Sequence, residues 1–532
     1  MTRSTAVRRY GKAGKPARGE HLFAELPKSP VKAVSEPEDI VDFITDQLVS
    51  ISLNDQIPHV EEGHDKPLEY YDDSETPEAG SQETEDSSFQ DSSQIYDGEL
   101  RVLTWDDVCP FGDRIEKIAE ASYAEVYRIT NERGTSIIKV IRLESPIKPQ
   151  TKAQQKSGLV DEEPHCEDDL VGEIRISEWL ADIPGFVVYK ERYIVQGKAP
   201  KPLLETHQTF HRKAKRKDPD RLQFYPSPSR YLEDTQFLVV ELGDAGLALE
   251  DFELTSTAQL WDIFLHAAIA LARAEDLVMF EVSIRLNLVF NGLVSQHSTQ
   301  HRDLHEGNIC VRQVGESRAK KDESLCQFGY SGLDITILDY GLSRAEDIDN
   351  ESEDVVTVAY DLEKDLSIFT STHAPQCKVY RQMRSFLLKG DRACLPPKSH
   401  TKPYESGSDG PISWSGYYPY TNVLWLAYIY QHLVVNFQGE KKELAQFKRS
   451  TKEFWAHLNP EAPRGVLSFP SAGDAVRYAV EAGWITEVQL MGDTSRIDDT
   501  DLASVAYNES IIEASLPEVE DAHLRRSPRR RR

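Results

Sequence analysis

The stretch of sequence that decides the fold is His301-Arg302-Asp303-Leu304-His305-Glu306-Gly307-Asn308. Further along the chain, an apolar run leads into Asp339-Tyr340-Gly341. The two stretches supply a carboxylate that can accept a proton from a hydroxyl, and hard oxygen ligands of the kind that Mg²⁺ prefers. This combination predicts a site that binds a metal and transfers a phosphoryl group.

The order and spacing of these groups match the protein-kinase pattern H-R-D-x-x-x-x-N followed by Asp-aromatic-Gly. We predict that Asp303 is the catalytic base, which accepts or orients the proton of the substrate hydroxyl. Asn308 and Asp339 are the predicted Mg²⁺ ligands, and Asp339 is presented at the end of an apolar strand. In these roles the protein positions the reacting groups and the metal, and it forms no covalent bond with the substrate.

Upstream, Lys139 lies in the middle of the apolar strand Ile137-Ile138-Lys139-Val140-Ile141. Burying a lysine there is costly unless a carboxylate and a phosphate satisfy it. Glu173, on the following helix, is the natural partner, and the pair would contact the α- and β-phosphates of ATP. These pieces, in this order, predict an ATP-dependent protein kinase.

The stretch that should cover the nucleotide phosphates departs from the usual glycine-rich pattern. It reads Ala119-Glu120-Ala121-Ser122-Tyr123-Ala124-Glu125-Val126, with alanine at all three glycine positions. Alanine lacks the freedom of glycine at positive φ, so we expect a stiffer loop or weaker ATP binding. The predicted ATP-binding set is Ala119, Ala121, Ala124, Val126, Lys139, Glu241 and Gly243. The alanines also favour an alternative function, that of a pseudokinase acting as a chromatin-bound scaffold.

The 532-residue chain carries a formal net charge of −28. The negative charge is concentrated in acidic segments, and it favours basic partners. We predict an α+β, two-lobed protein-kinase-like fold: a small first lobe with a β-sheet plus one helix, and a larger, mainly α-helical second lobe. The first lobe is assigned to residues 99–245 and the second to residues 246–490. Residues 196–233 and 389–416 are interpreted as surface connections, and residues 257–277 as a helix.

Both terminal regions are predicted to be disordered. Residues 1–98 begin with a basic patch and continue into a tract rich in Glu, Asp and Ser, which cannot offset the entropy of ordering. Within this region, residues 37–53 have apolar side chains at helical spacing, which predicts a short helix that is either transient or docked to a partner. The C-terminal region 491–532 ends in four arginines, which predict a nuclear localisation signal or a nucleic-acid contact. No stretch approaches the roughly 20 apolar residues of a transmembrane helix, so none is predicted.

Beyond the generic kinase pattern, residues 103–433 resemble the haspin family of atypical protein kinases. The resemblance is carried by the 301–308 run, by Asp339-Tyr340 with Leu342-Ser343-Arg344 after it, and by Tyr418-Pro419-Tyr420-Thr421-Asn422-Val423-Leu424-Trp425-Leu426. It implies a two-lobed kinase in a nuclear, chromosome-associated setting. It also implies that the partner is chromatin, through phosphorylation of the threonine at the third position of the histone H3 tail during mitosis.

A basic histone tail needs acidic contacts, and the segment after Asp339 is rich in acidic residues. Glu363 and Asp365 fall where haspins place acidic residues against the tail, so both are predicted substrate-binding residues. The alternative is an acidic surface loop without a ligand. A small-molecule phosphotransferase shares the Asp and Asn spacing, but Arg302 and the acidic segment favour a peptide substrate.

Two features depart from the family pattern. Lys378 falls where kinases place an aspartate that braces the catalytic loop, which predicts a less rigid loop. Residues 282–300 are an insertion between Glu281 and His301. Because the insertion begins with Val-Ser, which GTG-AGT can encode, and ends in Gln, which CAG can encode, we hypothesise a retained intron. Its alternating apolar residues allow an extra strand and turn instead, and transcript reads across the junction would separate the two.

Overall fold

The computed structural model of the protein describes residues 100–491 with gaps, together with residues 509–512. The gaps are residues 122, 157–158, 160–162, 166–169, 220–224, 276–298, 321–324, 348–355 and 409. The N-terminal region 1–98 with its predicted helix over residues 37–53, most of the C-terminal region, and residues 282–298 of the insertion lie outside the described residues.

The first lobe is built on a six-stranded sheet with the strand order β1-β5-β6-β4-β3-β2. The strands are β1 Val102–Thr104, β2 Arg114–Glu120, β3 Glu125–Asn131, β4 Gly134–Arg142, β5 Tyr189–Gln196 and β6 Gln236–Gly243. β1 runs parallel to β5, and the other neighbours in the sheet are antiparallel. β3 and β4 form a hairpin in which Asn131 pairs with Gly134, at the turn that the sequence predicts.

The two faces of this sheet bury different sets of side chains, because side chains alternate along a strand. One face carries Ile138, Val140, Phe237 and Val239. The opposite face carries Ile141, Leu238 and Val240, and Ile174, which lies outside the strands, packs in the same cluster. Lys139 alternates with Ile138 and Val140 in β4 and therefore shares the second face.

The described part of the first lobe contains four helices, where the sequence predicted one. They are α1 Trp105–Val108, α2 Lys152–Lys156, α3 Val171–Leu180 and α4 Lys201–Lys217. Helix α4 lies within residues 196–233, so the interpretation of that stretch as a surface connection is wrong. Only Leu203 and His207 of α4 are buried. Its few apolar side chains recur at helical spacing, but charged and polar residues dominate the composition of the stretch, and the sequence interpretation followed that composition.

The second lobe is mainly helical. Its described helices are α5 Thr257–Ala274, α6 Ser367–Thr370, α7 Gln376–Lys389, α8 Tyr420–Val435, α9 Lys441–Ser450, α10 Lys452–Leu458, α11 Ala472–Glu481 and α12 Glu487–Met491. Its described strands are β7 Leu247–Ala248, β8 Ile309–Gln313, β9 Leu333–Ile337, β10 Arg344–Asp347, β11 Val356–Ala359, β12 Ser406–Gly407 and β13 Gly410–Pro411. β7, β8 and β9 form one sheet, β10 pairs with β11, and β12 pairs with β13.

Helix α5 lies in the core of the second lobe, where its apolar side chains pack in one cluster with those of α8. Its N-terminus is closed by a capping box between Ser256 and Gln259, which satisfies two main-chain N–H groups. The helix was predicted over residues 257–277 and ends at Ala274. The α+β, kinase-like fold predicted from the sequence is confirmed. Within the described ranges, no helix is both long and apolar enough to span a membrane.

Candidate active site

Lys139 and Glu173 form an ion pair on the second face of the sheet. Lys139 Nζ lies 2.6 Å from Glu173 Oε1, which joins strand β4 to helix α3. The lysine also donates a 3.1 Å hydrogen bond to the hydroxyl of Tyr123, whose ring centroid lies 4.6 Å from Nζ. Burial lowers the pKa of Lys139, while the negative charge of Asp339 acts against this shift. The site therefore holds its lysine among three groups that fix its direction.

Asp339 follows strand β9 and joins the same group of side chains. Its φ is 63°, a left-handed conformation that is rare for a residue with a Cβ. A Cβ placed on Gly341 would lie 3.4 Å from Asp339 Oδ1, 3.5 Å from Glu173 Oε2 and 3.6 Å from the Tyr123 hydroxyl, so these side chains converge there. Burial acts to raise the pKa of Asp339, but the Lys139 charge and the Gly341 N–H outweigh it and leave the pKa below its ordinary value.

Asp303 is the candidate base, and its carboxylate is held in place. The hydroxyl of Tyr380 donates a hydrogen bond to Asp303 Oδ1, and His305 Nε2 lies 4.0 Å from the same oxygen. Burial raises the pKa of Asp303 to about 6, although His305 and the Tyr380 hydroxyl act in the opposite direction. The preceding residue, Arg302, has a φ of 60°, so the catalytic loop carries backbone strain beside its base. A carboxylate whose pKa lies just below neutrality is well suited to accept a proton.

Asn308 and Asp339 supply the oxygen atoms that fit a divalent cation. Asn308 Nδ2 donates a 2.9 Å hydrogen bond to the main-chain oxygen of Asp303, which leaves Oδ1 as its metal-binding atom. Among the described residues, no group of three or more His, Cys, Asp or Glu side chains could hold a metal. Two hard oxygen donors suit a cation such as Mg²⁺, which keeps water and phosphate oxygens as its other ligands.

The residue that braces the catalytic loop is not at position 378. Lys378 is about half exposed on the surface, where it pairs with Glu461. Asn422, fully buried in α8, instead accepts a 3.1 Å hydrogen bond from the main-chain N–H of His301. Its amide donates a 2.8 Å hydrogen bond to Glu275 Oε1. Asn422 belongs to the string that carries the family resemblance, but nothing in the sequence links it to the loop, and sequence reasoning missed its role.

Three aromatic side chains connect the catalytic loop with the first lobe. The Tyr340 ring centroid lies 5.8 Å from that of His301 and 6.1 Å from that of Phe186. Burial lowers the pKa of His301 to about 4, so the ring is neutral and its Nε2–H donates to the main-chain oxygen of Leu338 at 2.9 Å. The hydroxyl of Tyr340 donates to the main-chain oxygen of Ile337 at 3.1 Å. This bond gives a physical reason for tyrosine where kinases usually have phenylalanine.

The three alanines in and beside the loop between β2 and β3 adopt ordinary backbone angles. The described non-glycine residues with positive φ are Arg302, Asp339 and Tyr404. The alanines at positions 119, 121 and 124 therefore have ordinary backbone angles. Ala121 N–H donates to Ala124 O at 2.9 Å, and Ala119 pairs with Val126 across the hairpin. The weaker ATP binding expected from these alanines stays a prediction.

The side chain of Glu241, one of the predicted ATP-binding residues, does not face Lys139. Glu241 alternates with Val240, which pairs with Lys139, and its side chain therefore lies on the opposite face of the sheet. It is fully buried there and accepts a 2.7 Å hydrogen bond from Ser136 Oγ. Gly243 N–H already donates to Val188 O at 2.9 Å. A contact of Glu241 or Gly243 with a nucleotide would therefore involve main-chain atoms, and their place in the ATP-binding set stays a prediction.

Glu363 and Asp365, the predicted substrate-binding residues, have structural partners instead. Both oxygens of Glu363 accept 2.8 Å hydrogen bonds from Arg384, and both side chains are fully buried. Asp365 accepts hydrogen bonds from Ser367 N–H at 2.9 Å and Ser367 Oγ at 2.8 Å, at the start of helix α6. Because these carboxylates are buried and paired, their assignment to the substrate is corrected.

Other acidic side chains lie beside the catalytic loop. Glu250 Oε1 is 3.7 Å from the position that a Cβ on Gly307 would occupy. Burial raises the pKa of Glu250, and the nearby Asp251 and Glu306 raise it further. Glu306 accepts a 2.6 Å hydrogen bond from the hydroxyl of Tyr428. Sequence reasoning missed this acidic group because Glu250 precedes the loop by a long stretch of chain.

The last residue of the predicted insertion is part of the fold. Gln300 and Arg344 exchange main-chain hydrogen bonds of 2.8 and 3.0 Å. The Oε1 atom of Gln300 accepts from Arg302 Nη2 at 2.8 Å and from Nε at 3.1 Å. A chain without residues 282–300 would place Glu281 before His301, and Glu281 would have to replace these contacts.

Comparison with known proteins agrees with this geometry. A family model described as "Haspin like kinase domain" matches residues 80–471. The serine/threonine-protein kinase haspin of Mus musculus is 27% identical over 374 residues, which cover 68% of this chain and 40% of the mouse protein. The haspin homolog hrk1 of Schizosaccharomyces pombe is 25% identical over 402 residues, 71% of this chain and 68% of that protein. The Drosophila melanogaster homolog is 24% identical over 333 residues, 59% of this chain and 47% of that protein. Since the family model covers most of the chain, the chain belongs to the haspin family of protein kinases.

Proposed function

We propose that this protein is an ATP-dependent serine/threonine protein kinase that uses Mg²⁺. The observation that carries the proposal is the Lys139–Glu173 ion pair beside Asp339, because it places the nucleotide lysine and a metal-binding carboxylate together. Asp303 and Asn308 complete the site through their shared hydrogen bond. All five groups lie where the lobes meet, which is the arrangement that phosphoryl transfer requires.

When bound, ATP and its metal supply the phosphoryl group and the cation that neutralises its charge. Lys139, held by Glu173, binds the α- and β-phosphates, and Asn308 and Asp339 hold the metal. Asp303, whose pKa is about 6, accepts the proton of the substrate hydroxyl at neutral pH. The Tyr380 hydroxyl keeps the Asp303 carboxylate in a single orientation.

The proposed substrate is the histone H3 tail, with phosphorylation of the threonine at its third position during mitosis. Support comes from Glu250 and Asp251, two exposed carboxylates, because Glu250 lies beside Gly307 of the catalytic loop and such charges attract a basic peptide. The proposed location is the nucleus, in association with chromosomes. The four arginines at residues 529–532 support it, since they suit a localisation signal or a contact with nucleic-acid phosphates.

The test is transfer of labelled phosphate from Mg²⁺-ATP to a histone H3 tail peptide. The intact protein is compared with Asp303→Asn, with Asp339→Ala and with Lys378→Ala, the last being a surface control. We expect transfer by the intact protein and by Lys378→Ala, and none by the two site variants. A peptide in which the third residue is alanine should receive no label.

Two results would contradict the proposal. If phosphate transfer persists in Asp339→Ala, Asp339 is not a metal ligand and the assignment of the metal site is wrong. If the intact protein and a chain lacking residues 282–300 both bind ATP without transferring phosphate, the pseudokinase scaffold is the better interpretation. Transfer by the shortened chain alone would identify residues 282–300 as a retained intron.

A further inference from the structure

A short piece of the C-terminal region packs against the first lobe. Of the residues after Met491, the structure describes only residues 509–512, with the sequence Glu-Ser-Ile-Ile. Ile511 and Ile512 are 3% and 5% exposed, as in a protein core. They belong to the same apolar cluster as Ile138 and Val239, on the face of the sheet opposite to Lys139. A Cβ on Gly134 would lie 3.9 Å from Ile511 Cγ2, so Ile511 also covers the β3–β4 turn.

The polar contacts of this segment centre on Glu241. The hydroxyl of Ser510 donates to Glu241 Oε2 at 2.6 Å, and the main-chain N–H of Ile511 donates to Glu241 Oε1 at 2.9 Å. The main-chain oxygen of Ile511 accepts from Asn131 Nδ2 at 3.0 Å. Ser136 of the sheet donates to the same carboxylate. The tail thus supplies two hydrogen bonds to a carboxylate that is fully buried.

A buried carboxylate is costly unless donors satisfy it. Glu241 therefore makes the docked segment specific, because apolar side chains alone would not require a serine at position 510. The segment is also preorganised, since Ser510 Oγ accepts the N–H of Ile512 at 3.2 Å. Two branched apolar side chains, the Ser510 hydroxyl and the main-chain N–H of Ile511 are the features that the receptor surface recognises.

The receptor carboxylate lies next to the nucleotide site. Val240, the residue before Glu241, pairs with Lys139 in the sheet. Strand β6 ends at Gly243, and from there the chain continues into the second lobe. Holding Glu241 therefore holds the strand end that borders both the catalytic lysine and the connection between the lobes.

We propose that residues 509–512 are a docking motif, that its receptor is the face of the first-lobe sheet around Glu241, and that docking supports nucleotide binding. The motif binds within its own chain. Residues 492–508, which join it to the second lobe, could reach about 60 Å when fully extended. Such a tether raises the effective concentration of a weak four-residue motif into the range where it binds. This proposal does not depend on the identity of the protein substrate.

The test uses the full-length protein and the variant Ser510→Glu, which places a second carboxylate against Glu241. Ser515→Glu adds the same charge to the same tail outside the motif and serves as the matched control. Hydrogen exchange is measured on residues 509–512 and on strand β6. We expect exchange about tenfold faster in Ser510→Glu, the size expected from losing a hydrogen bond to a charged group. We also expect weaker binding of Mg²⁺-ATP by that variant, and no change in Ser515→Glu.

A synthetic peptide of residues 505–516 separates undocking from misfolding. Added to the Ser510→Glu protein at millimolar concentration, which matches the effective concentration of a tethered segment, the native peptide should restore slow exchange in β6, whereas a peptide carrying the same substitution should not. Unchanged exchange of β6 in Ser510→Glu, or failure of the native peptide to restore it, would overturn the docking proposal. Protection that rises with protein concentration would show a tail bound by a second copy and would overturn binding within one chain.

Discussion

Replacing Asp303 by asparagine is expected to make the protein more stable at neutral pH. The side chain of Asp303 is 15% exposed and lies near the negative charges of Asp339 and Glu306. Burial first, and these charges to a lesser extent, raise the pKa of Asp303 from 3.8 to about 6. At about 1.4 kcal/mol for each pKa unit, the ionised carboxylate costs about 3 kcal/mol of folding free energy.

The sign of the pH dependence follows from proton binding. Between pH 3.8 and about 6 the folded protein keeps a proton on Asp303 that the unfolded chain has lost, so stability falls as pH rises through this window. Asparagine carries no such proton. The stability gain of Asp303→Asn should therefore be about 3 kcal/mol at pH 7.5, about half of that at pH 5, and should vanish below pH 3.8.

Urea unfolding of the full-length protein at pH 7.5 and pH 5 measures this difference. Asp106→Asn, at an exposed position, is the control and should show no gain at either pH. Asp303→Asn should also lose phosphate transfer while it gains stability, because catalytic residues are commonly kept for activity at a cost in stability. Equal stability of Asp303→Asn and the native protein at pH 7.5, or a gain that does not change with pH, would refute the reasoning.

Two further predictions follow from the contacts of single residues. Tyr380→Phe removes the hydroxyl that donates to Asp303, and the pKa of Asp303 should therefore rise. The acid limb of the profile of kcat/KM against pH should move up by about one pH unit. An unchanged acid limb would show that the hydroxyl does not act on the base. Glu363→Gln leaves the buried Arg384 without its carboxylate and should destabilise the protein by about 3–5 kcal/mol, as urea unfolding would show, with no change in KM for a basic peptide. A raised KM at full stability would restore Glu363 as a substrate-binding residue.

The chemistry of the site could be predicted from the sequence because it depends on short motifs. Phosphoryl transfer needs particular side chains at fixed local spacings, as in the run that contains Asp303 and Asn308. Lys139 was noticeable for a similar reason, since a charged residue inside an apolar strand requires a partner. The structure places Glu173 in contact with it at 2.6 Å.

The failures concern side chains whose partners are distant in the chain. Glu363 was assigned to the substrate from its place in the family pattern, with an acidic segment before it, but its partner Arg384 comes from helix α7. Helix α4 was missed because its few apolar residues, although they recur at helical spacing, lie in a stretch dominated by charged and polar residues. For Glu363, a pattern along the chain carries no information about the distant residue that packs against it.

The sequence by itself determined the α+β kinase-like class, the order of the chemical groups and the resemblance that the family model supports. The tertiary structure alone decided that Asn422 braces His301, that Glu241 faces away from Lys139, and that Ile511 docks on the first lobe. The physical reason is that motifs depend on local spacing, whereas burial and hydrogen-bond partners depend on strand register and on which distant surfaces meet.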